Sequence, residues 1–197
     1  GTLNLLEAVK DLPLERFVFF STEEVYGKNT LPYKENQLLL PPSPYSVSKI
    51  AGENLCLLYK EWYALPVVIF RMATVFGPYQ PITRFIPTLI TKALKNEEVP
   101  LNSGKNKRDY LFVEELIEAT EKALSAEKAI GQIFNIGGTK SFSGKELAEK
   151  IITLSKSTSK ILLNAFPDRS GEARLWKMNN AKARRLLGWK PRASIDE

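Results

Sequence analysis

The strongest constraint on the fold is a recurring unit: a short apolar run that suits a buried strand, followed by a segment with helical patterning. Arg16-Phe17-Val18-Phe19-Phe20-Ser21 is mainly aromatic and β-branched and shows no alternation. Such a run suits a strand covered on both faces. Pro66-Val67-Val68-Ile69-Phe70-Arg71 repeats it, and Ile133-Phe134-Asn135-Ile136, closed by Gly137-Gly138, gives a third. Helical patterns fill the spaces. Residues 1–10 place Leu3, Leu6 and Val9 at a three-residue spacing. Pro44 stands just before a helix over 45–63, as proline does at helix starts. Helices are also expected over 87–95 and 113–124. Residues 143–155 carry a Ser143/Glu146 capping box and an inner stripe of Leu147, Ile151 and Leu154. A last helix over 180–187 is stopped by Gly188 and Pro191. Strands alternating with helices predict an α/β protein with a parallel sheet. Ligands then gather at the carboxyl ends of the strands, where segments 21–27 and 74–80 fall.

Composition narrows the chemistry. The chain has 197 residues, 44% hydrophobic and 25% charged, ordinary for a globular protein of one or two domains. No run reaches the roughly 20 apolar residues that span a membrane. There is no histidine, so acid–base work falls to Tyr, Lys, Asp or Glu, and no metal site is expected. The single cysteine, Cys56, cannot form an internal disulfide, which suits a reducing, cytoplasmic setting. The net charge of +6 attracts anions, but the Lys and Arg residues are scattered among 22 acidic ones. That is the pattern of solvated helix faces, and no nucleic-acid partner is expected.

Tyr45 and Lys49 lie four apart on a helix and share a face. A nearby ammonium favours phenolate, which makes tyrosine a usable base near neutral pH. A surface tyrosine and a surface lysine would show the same spacing by chance. Context changes this: Ser21-Thr22-Glu23-Glu24-Val25-Tyr26-Gly27 stands upstream at a strand end. The Thr22 hydroxyl can hydrogen-bond a substrate hydroxyl there, and Glu23 or Glu24 can serve as general acid or base.

The blocks continue in order: Gly1-Thr2-Leu3-Asn4-Leu5-Leu6-Glu7-Ala8, the 21–27 segment, Ser43-Pro44-Tyr45-Ser46-Val47-Ser48-Lys49 with Ala51-Gly52-Glu53, then Arg71 with Val75-Phe76-Gly77-Pro78. Lys107-Arg108-Asp109-Tyr110, Phe112-Val113-Glu114-Glu115, Phe134-Asn135-Ile136-Gly137-Gly138, Arg169-Ser170-Gly171-Glu172 and Leu187-Gly188-Trp189-Lys190-Pro191 follow. Together they resemble the extended short-chain dehydrogenase/reductases, the NAD-dependent nucleotide-sugar epimerases and dehydratases. The resemblance implies a partial Rossmann-like sheet with flanking helices, carried by 1–78 with 104–140. It adds a small C-terminal α/β substrate-binding part, 79–103 with 141–197. It implies a Thr22/Tyr45/Lys49 triad in which Tyr45 removes a proton from a sugar hydroxyl while NAD or NADP takes hydride. Lys49 then holds the nicotinamide ribose, with Ser21 and Met72 also at the cofactor. Arg108 and Arg169 match positions that hold the substrate diphosphate, and guanidinium suits phosphate through paired charge-assisted bonds. Tyr110 and Phe112 line the base pocket or pack in the core.

The pattern departs from the family in three places. The Gly-x-x-Gly-x-x-Gly turn that seats a pyrophosphate on a helix N-terminus has no counterpart here. The residues resemble about the last two-thirds of such an enzyme, and weak NAD retention by this chain alone is expected. Thr74 stands where epimerase relatives often carry asparagine near the phosphates. Glu24 aligns with the carboxylate of 4,6-dehydratases and decarboxylases, while Glu23 replaces an aspartate. Dehydratase or decarboxylase chemistry is therefore favoured over 4-epimerisation; the alternative is a truncated, non-catalytic relative that at most binds a nucleotide sugar. The family commonly dimerises through a four-helix bundle, so a homodimer is expected through helices 1–10 and 45–63, with Leu55, Leu58 and Tyr59 as contacts.

Overall fold

A computed structural model describes residues 1–195. In chain order the elements are α1 (Thr2–Val9), β1 (Phe17–Thr22), a 3-10 turn (Glu23–Tyr26), α2 (Pro44–Tyr63), β2 (Val67–Met72) and β3 (Thr74–Phe76). Then come α3 (Phe85–Leu94), β4 (Val99–Pro100), β5 (Lys107–Phe112), α4 (Val113–Ser125) and β6 (Gln132–Ile136). The chain closes with β7 (Ser141–Ser143), α5 (Gly144–Leu154), β8 (Ile161–Leu162) and α6 (Ala181–Leu187).

The three apolar runs become one parallel sheet in the order β1-β2-β6, with Phe19 opposite Ile69 and Ile69 opposite Ile133. Successive side chains of a strand point to opposite faces, so β2 feeds two cores. Val68 and Phe70 join Phe134, Ile136, Trp176, Ala183, Leu187 and Trp189 on one side. Val67 and Ile69 join Leu6, Cys56, Tyr59 and Leu65 on the other, beneath α1 and α2. A third cluster gathers Leu89, Val99, Leu101, Tyr110, Phe142 and Leu147. Residues 173–189, assigned by sequence to the smaller part, thus contribute to the core of the main sheet.

Helix α2 sits directly on β1. A Cβ placed on Gly52 would lie 2.4 Å from the Phe19 ring, so only glycine allows this approach. Its start is fixed by Ser43, whose hydroxyl accepts from the Ser46 amide while the Ser46 hydroxyl receives the Ser43 amide. The chain leaves the helix through Ala64 in the left-handed region.

Other expectations need correction. Segment 74–80 opens with a short strand of its own: Thr74–Phe76 pairs in parallel with β5, and β5 pairs antiparallel with β7. Leu154 leaves the inner stripe and is 62% exposed, since it ends α5 where no neighbour covers it. Tyr59 is buried, and its hydroxyl donates to Glu7 of α1, so it ties two helices of one chain together and is not free for a partner.

Candidate active site

The carboxyl end of β1 delivers Ser21 and Thr22 to a cleft of about 780 Å³. The first turn of α2 delivers Tyr45, the end of β2 delivers Met72, and Thr74, Arg108, Tyr110 and Glu172 complete the wall used below. Of the residues singled out by sequence, Ser21, Thr22, Tyr45, Met72, Thr74 and Arg108 line this cleft. Lys49, Glu23, Glu24 and Arg169 lie behind or beside it.

Thr22 Oγ accepts the Glu24 amide at 3.2 Å and so caps the 3-10 turn. Its hydroxyl proton remains available to the cleft. Tyr45 is half exposed at the cleft wall. One helical turn later, Lys49 Nζ donates to the Phe20 carbonyl at 2.8 Å and lies 5.8 Å from the centre of the Tyr45 ring. The β1 backbone therefore fixes the ammonium between the Phe19 and Tyr45 rings, and its other N–H bonds have no hydrogen-bond partner among the described residues.

The two adjacent glutamates have different surroundings. Glu23 is buried, accepts from Thr74 Oγ1 at 3.2 Å, and leaves Oε2 without a partner among the described residues. Burial, then the charge of Asp109, pushes its carboxyl well above the usual range and keeps it protonated. Glu24 instead accepts from the Ser43 hydroxyl and from both Arg169 amino groups, at 3.3 and 3.5 Å.

Arg108 is fixed from two sides, by an ion pair with Glu172 and by the Trp176 ring, 5.2 Å away. Beside it, Asp109 is fully buried; burial raises its carboxyl to about 6, against the pull of Lys177 and the amides of Met178 and Gly138. Tyr110 is pushed far above the phenol range by burial, so this cleft tyrosine stays neutral.

A buried network stands behind the triad. Arg71 grips Glu53 at 2.6 and 3.1 Å, and the Ser21 hydroxyl donates to the same carboxylate. Arg71 also donates to the Tyr26 hydroxyl at 3.0 Å, which donates to Asn135 Oδ1 at 2.7 Å. Glu53 and Arg71 stand in the matched sequence blocks but carry no task there. The signal for Glu53 was its place one turn beyond Lys49, in a Tyr45–Lys49–Glu53 row of four-residue steps.

A three-stranded parallel sheet with a Thr, Tyr and Lys gathered at its carboxyl edge defines a Rossmann-like protein of the short-chain dehydrogenase/reductase class. A sequence model described as GDP-mannose 4,6 dehydratase matches residues 1–197. The chain belongs to this family of NAD-dependent sugar epimerases and 4,6-dehydratases. It is 33% identical over its whole length to the low-salt glycan biosynthesis protein Agl12 of Haloferax volcanii, covering 63% of that protein. It is 34% identical over 99% of its length to a dTDP-glucose 4,6-dehydratase of Streptomyces niveus, covering 58% of it. Among solved structures, UDP-glucuronic acid 4-epimerase from Bacillus cereus, in complex with UDP-glucuronic acid and NAD, superposes with a TM-score of 0.93 at 31% identity. That match covers 99% of this chain and 62% of the epimerase. The chain thus spans about 60% of the length of these proteins. No helix among the described residues is long and apolar enough to cross a membrane.

Proposed function

We propose that this chain is the catalytic and substrate-binding portion of an NAD-dependent nucleotide-sugar 4,6-dehydratase or epimerase working through a 4-keto sugar. One observation carries the reading: Thr22 and Tyr45 line one cleft, with Lys49 held beside the tyrosine by the strand that carries the threonine. The donor set fits the nicotinamide end of the cofactor, because Lys49 has ammonium protons left for ribose hydroxyls and Ser21 and Met72 lie at the same end of the cleft. When bound, NAD supplies the hydride acceptor for the sugar carbon.

Thr22 donates to the sugar hydroxyl and holds it against Tyr45. Tyr45 is the general base that takes the hydroxyl proton. Lys49 stands beside it, its ammonium held by the Phe20 carbonyl. Glu24, with Ser43 and Arg169 on its carboxylate, is the acid–base group for loss of water from the ketone, which favours dehydration or decarboxylation over simple epimerisation. Glu23, protonated and bonded to Thr74, shapes the floor of the site. Arg108 and Arg169 receive the diphosphate. In this reading 1–78 with 104–140 carry the triad, and 79–103 with 141–197 hold the substrate. Buried Cys56 suits a reducing cytoplasmic setting.

The test is to incubate the protein with NAD and either UDP-glucose or dTDP-glucose and follow the sugar by mass spectrometry and NMR. Loss of one water marks dehydration; an inverted C4 coupling pattern marks epimerisation. Tyr45→Phe should lower either rate by at least about 100-fold, the scale of general-base catalysis. Unchanged sugars with protein that demonstrably binds NAD would sink the reading.

A further inference from the structure

Residues 169–172 carry opposite charges at their ends, and each end is paired with a different residue of the site. Arg169 holds Glu24 at 3.3 and 3.5 Å. Glu172 accepts from Arg108, and from Asn106 Nδ2 at 3.1 Å. Both arginines assigned to the diphosphate therefore already hold a carboxylate. The ends are joined by a turn: the Glu172 amide donates to the Arg169 carbonyl at 3.3 Å, and Gly171 takes φ +78°, which suits the third position of a type II turn.

The two pairs differ in strength. Arg108 is 27% exposed and Glu172 9%, with Trp176 beneath the guanidinium. The Arg169 side chain is 56% exposed but Glu24 only 11%, and the two meet through a pair of long contacts at 3.3 and 3.5 Å. The arginine end of this pair is open to water and both of its contacts are long, and a phosphate offers the same guanidinium shorter paired bonds and more negative charge. We propose that Arg169 is a positioning residue for Glu24, and that an incoming diphosphate draws it off this carboxylate while Arg108 stays anchored to Glu172. Only the side chain need move. Before binding, Ser43 and Arg169 both occupy Glu24; afterwards Ser43 alone remains, and one face of the carboxylate opens toward the site. The acid–base group is thereby freed when a nucleotide sugar is in place. The proposal rests on the nucleotide-sugar reading above.

The experiment is a double-mutant cycle read by calorimetric binding of UDP-glucose and of dTDP-glucose, with folding of each variant checked by its thermal midpoint. Glu24→Gln removes the competitor for Arg169, so binding should tighten by at least about threefold. In an Arg169→Gln background the same change should have no effect on binding. Arg169→Lys should restore part of the coupling. Glu24→Asp keeps the charge but draws it back from Arg169, and should also tighten binding. Equal tightening by Glu24→Gln in both backgrounds would mean direct repulsion between Glu24 and phosphate, and would overturn the proposal. No effect of Glu24→Gln with Arg169 present would overturn it too. Failure of the unaltered protein to bind either sugar nucleotide would overturn the nucleotide-sugar reading, and the proposal with it.

Discussion

Glu23 and Asp109 are carboxyls sealed from water, and burial raises both. A group whose folded value lies above its unfolded one stabilises fully below the unfolded value, and that stability is lost as pH rises toward the folded value. Asp109 places this window between about 4 and about 6. Glu23 extends it upward. Within such a window one group changes stability by about 1.4 kcal/mol per pH unit. Glu23→Gln removes one of the two titrations and keeps an acceptor for Thr74. Its thermal midpoint should gain on the unaltered protein as pH rises from 5 to 7.5, and parallel curves would refute the assignment. Tyr45 is the opposite case. It is half exposed, so Tyr45→Phe should change unfolding free energy by less than about 0.5 kcal/mol in urea while abolishing turnover. The convergence of Thr22 and Tyr45 was legible because each stands at a strand end or helix start. The Glu53–Arg71 pair was not: 18 residues separate the two, and no periodicity relates a helix face to the interior of the next strand.

Helix α2 shows how an element holds the site. Its first turn carries Tyr45, its second Lys49, and its third Glu53, locked to Arg71 with side chains 3% and 4% exposed. Breaking a buried pair leaves an uncompensated charge, so Arg71→Leu should cost about 3–5 kcal/mol in a urea melt. Glu53→Leu combined with Arg71→Met leaves no buried charge and should recover most of that loss; a double variant no better than the single one would show that burial of charge is not the cause. Capping and apolar spacing made α2 and α5 readable from sequence. The strands β3, β4, β7 and β8 have two or three residues each, too few to show a period. Strand β5 begins Lys107-Arg108-Asp109 and looks like a loop. Those charges are tolerated within a strand because Glu146, Glu172 and Lys177 meet them one by one.

At the scale of the molecule, the ends of one apolar stripe stay open among the described residues, while Leu55 in its middle also packs on the core beneath α1 and α2. Val47, Ala51, Leu55, Leu58 and Trp62 follow one another along α2 at steps of three and four, a single face of the helix. Val47 is 53% exposed and Trp62 66%. The stripe covers 15 residue steps, about 22 Å of helix. Leu3 and Leu5 of the neighbouring α1 are 47% and 54% exposed. A partly exposed apolar stripe with open ends such as Val47 and Trp62 suits an association surface. A second copy of the chain, stripe against stripe, would cover it, since a two-fold axis sets the same residues against each other. Light scattering should therefore give twice the 22.2 kDa chain mass at micromolar concentration. Val47→Glu with Trp62→Glu should return it to one mass with little change in thermal midpoint, because neither side chain supports the core. The edge of β1, unpaired among the described residues, offers a competing route, since a strand edge also recruits a partner. Dimers that survive the double substitution would point to that edge; a monomer at high concentration in the unaltered protein would exclude both.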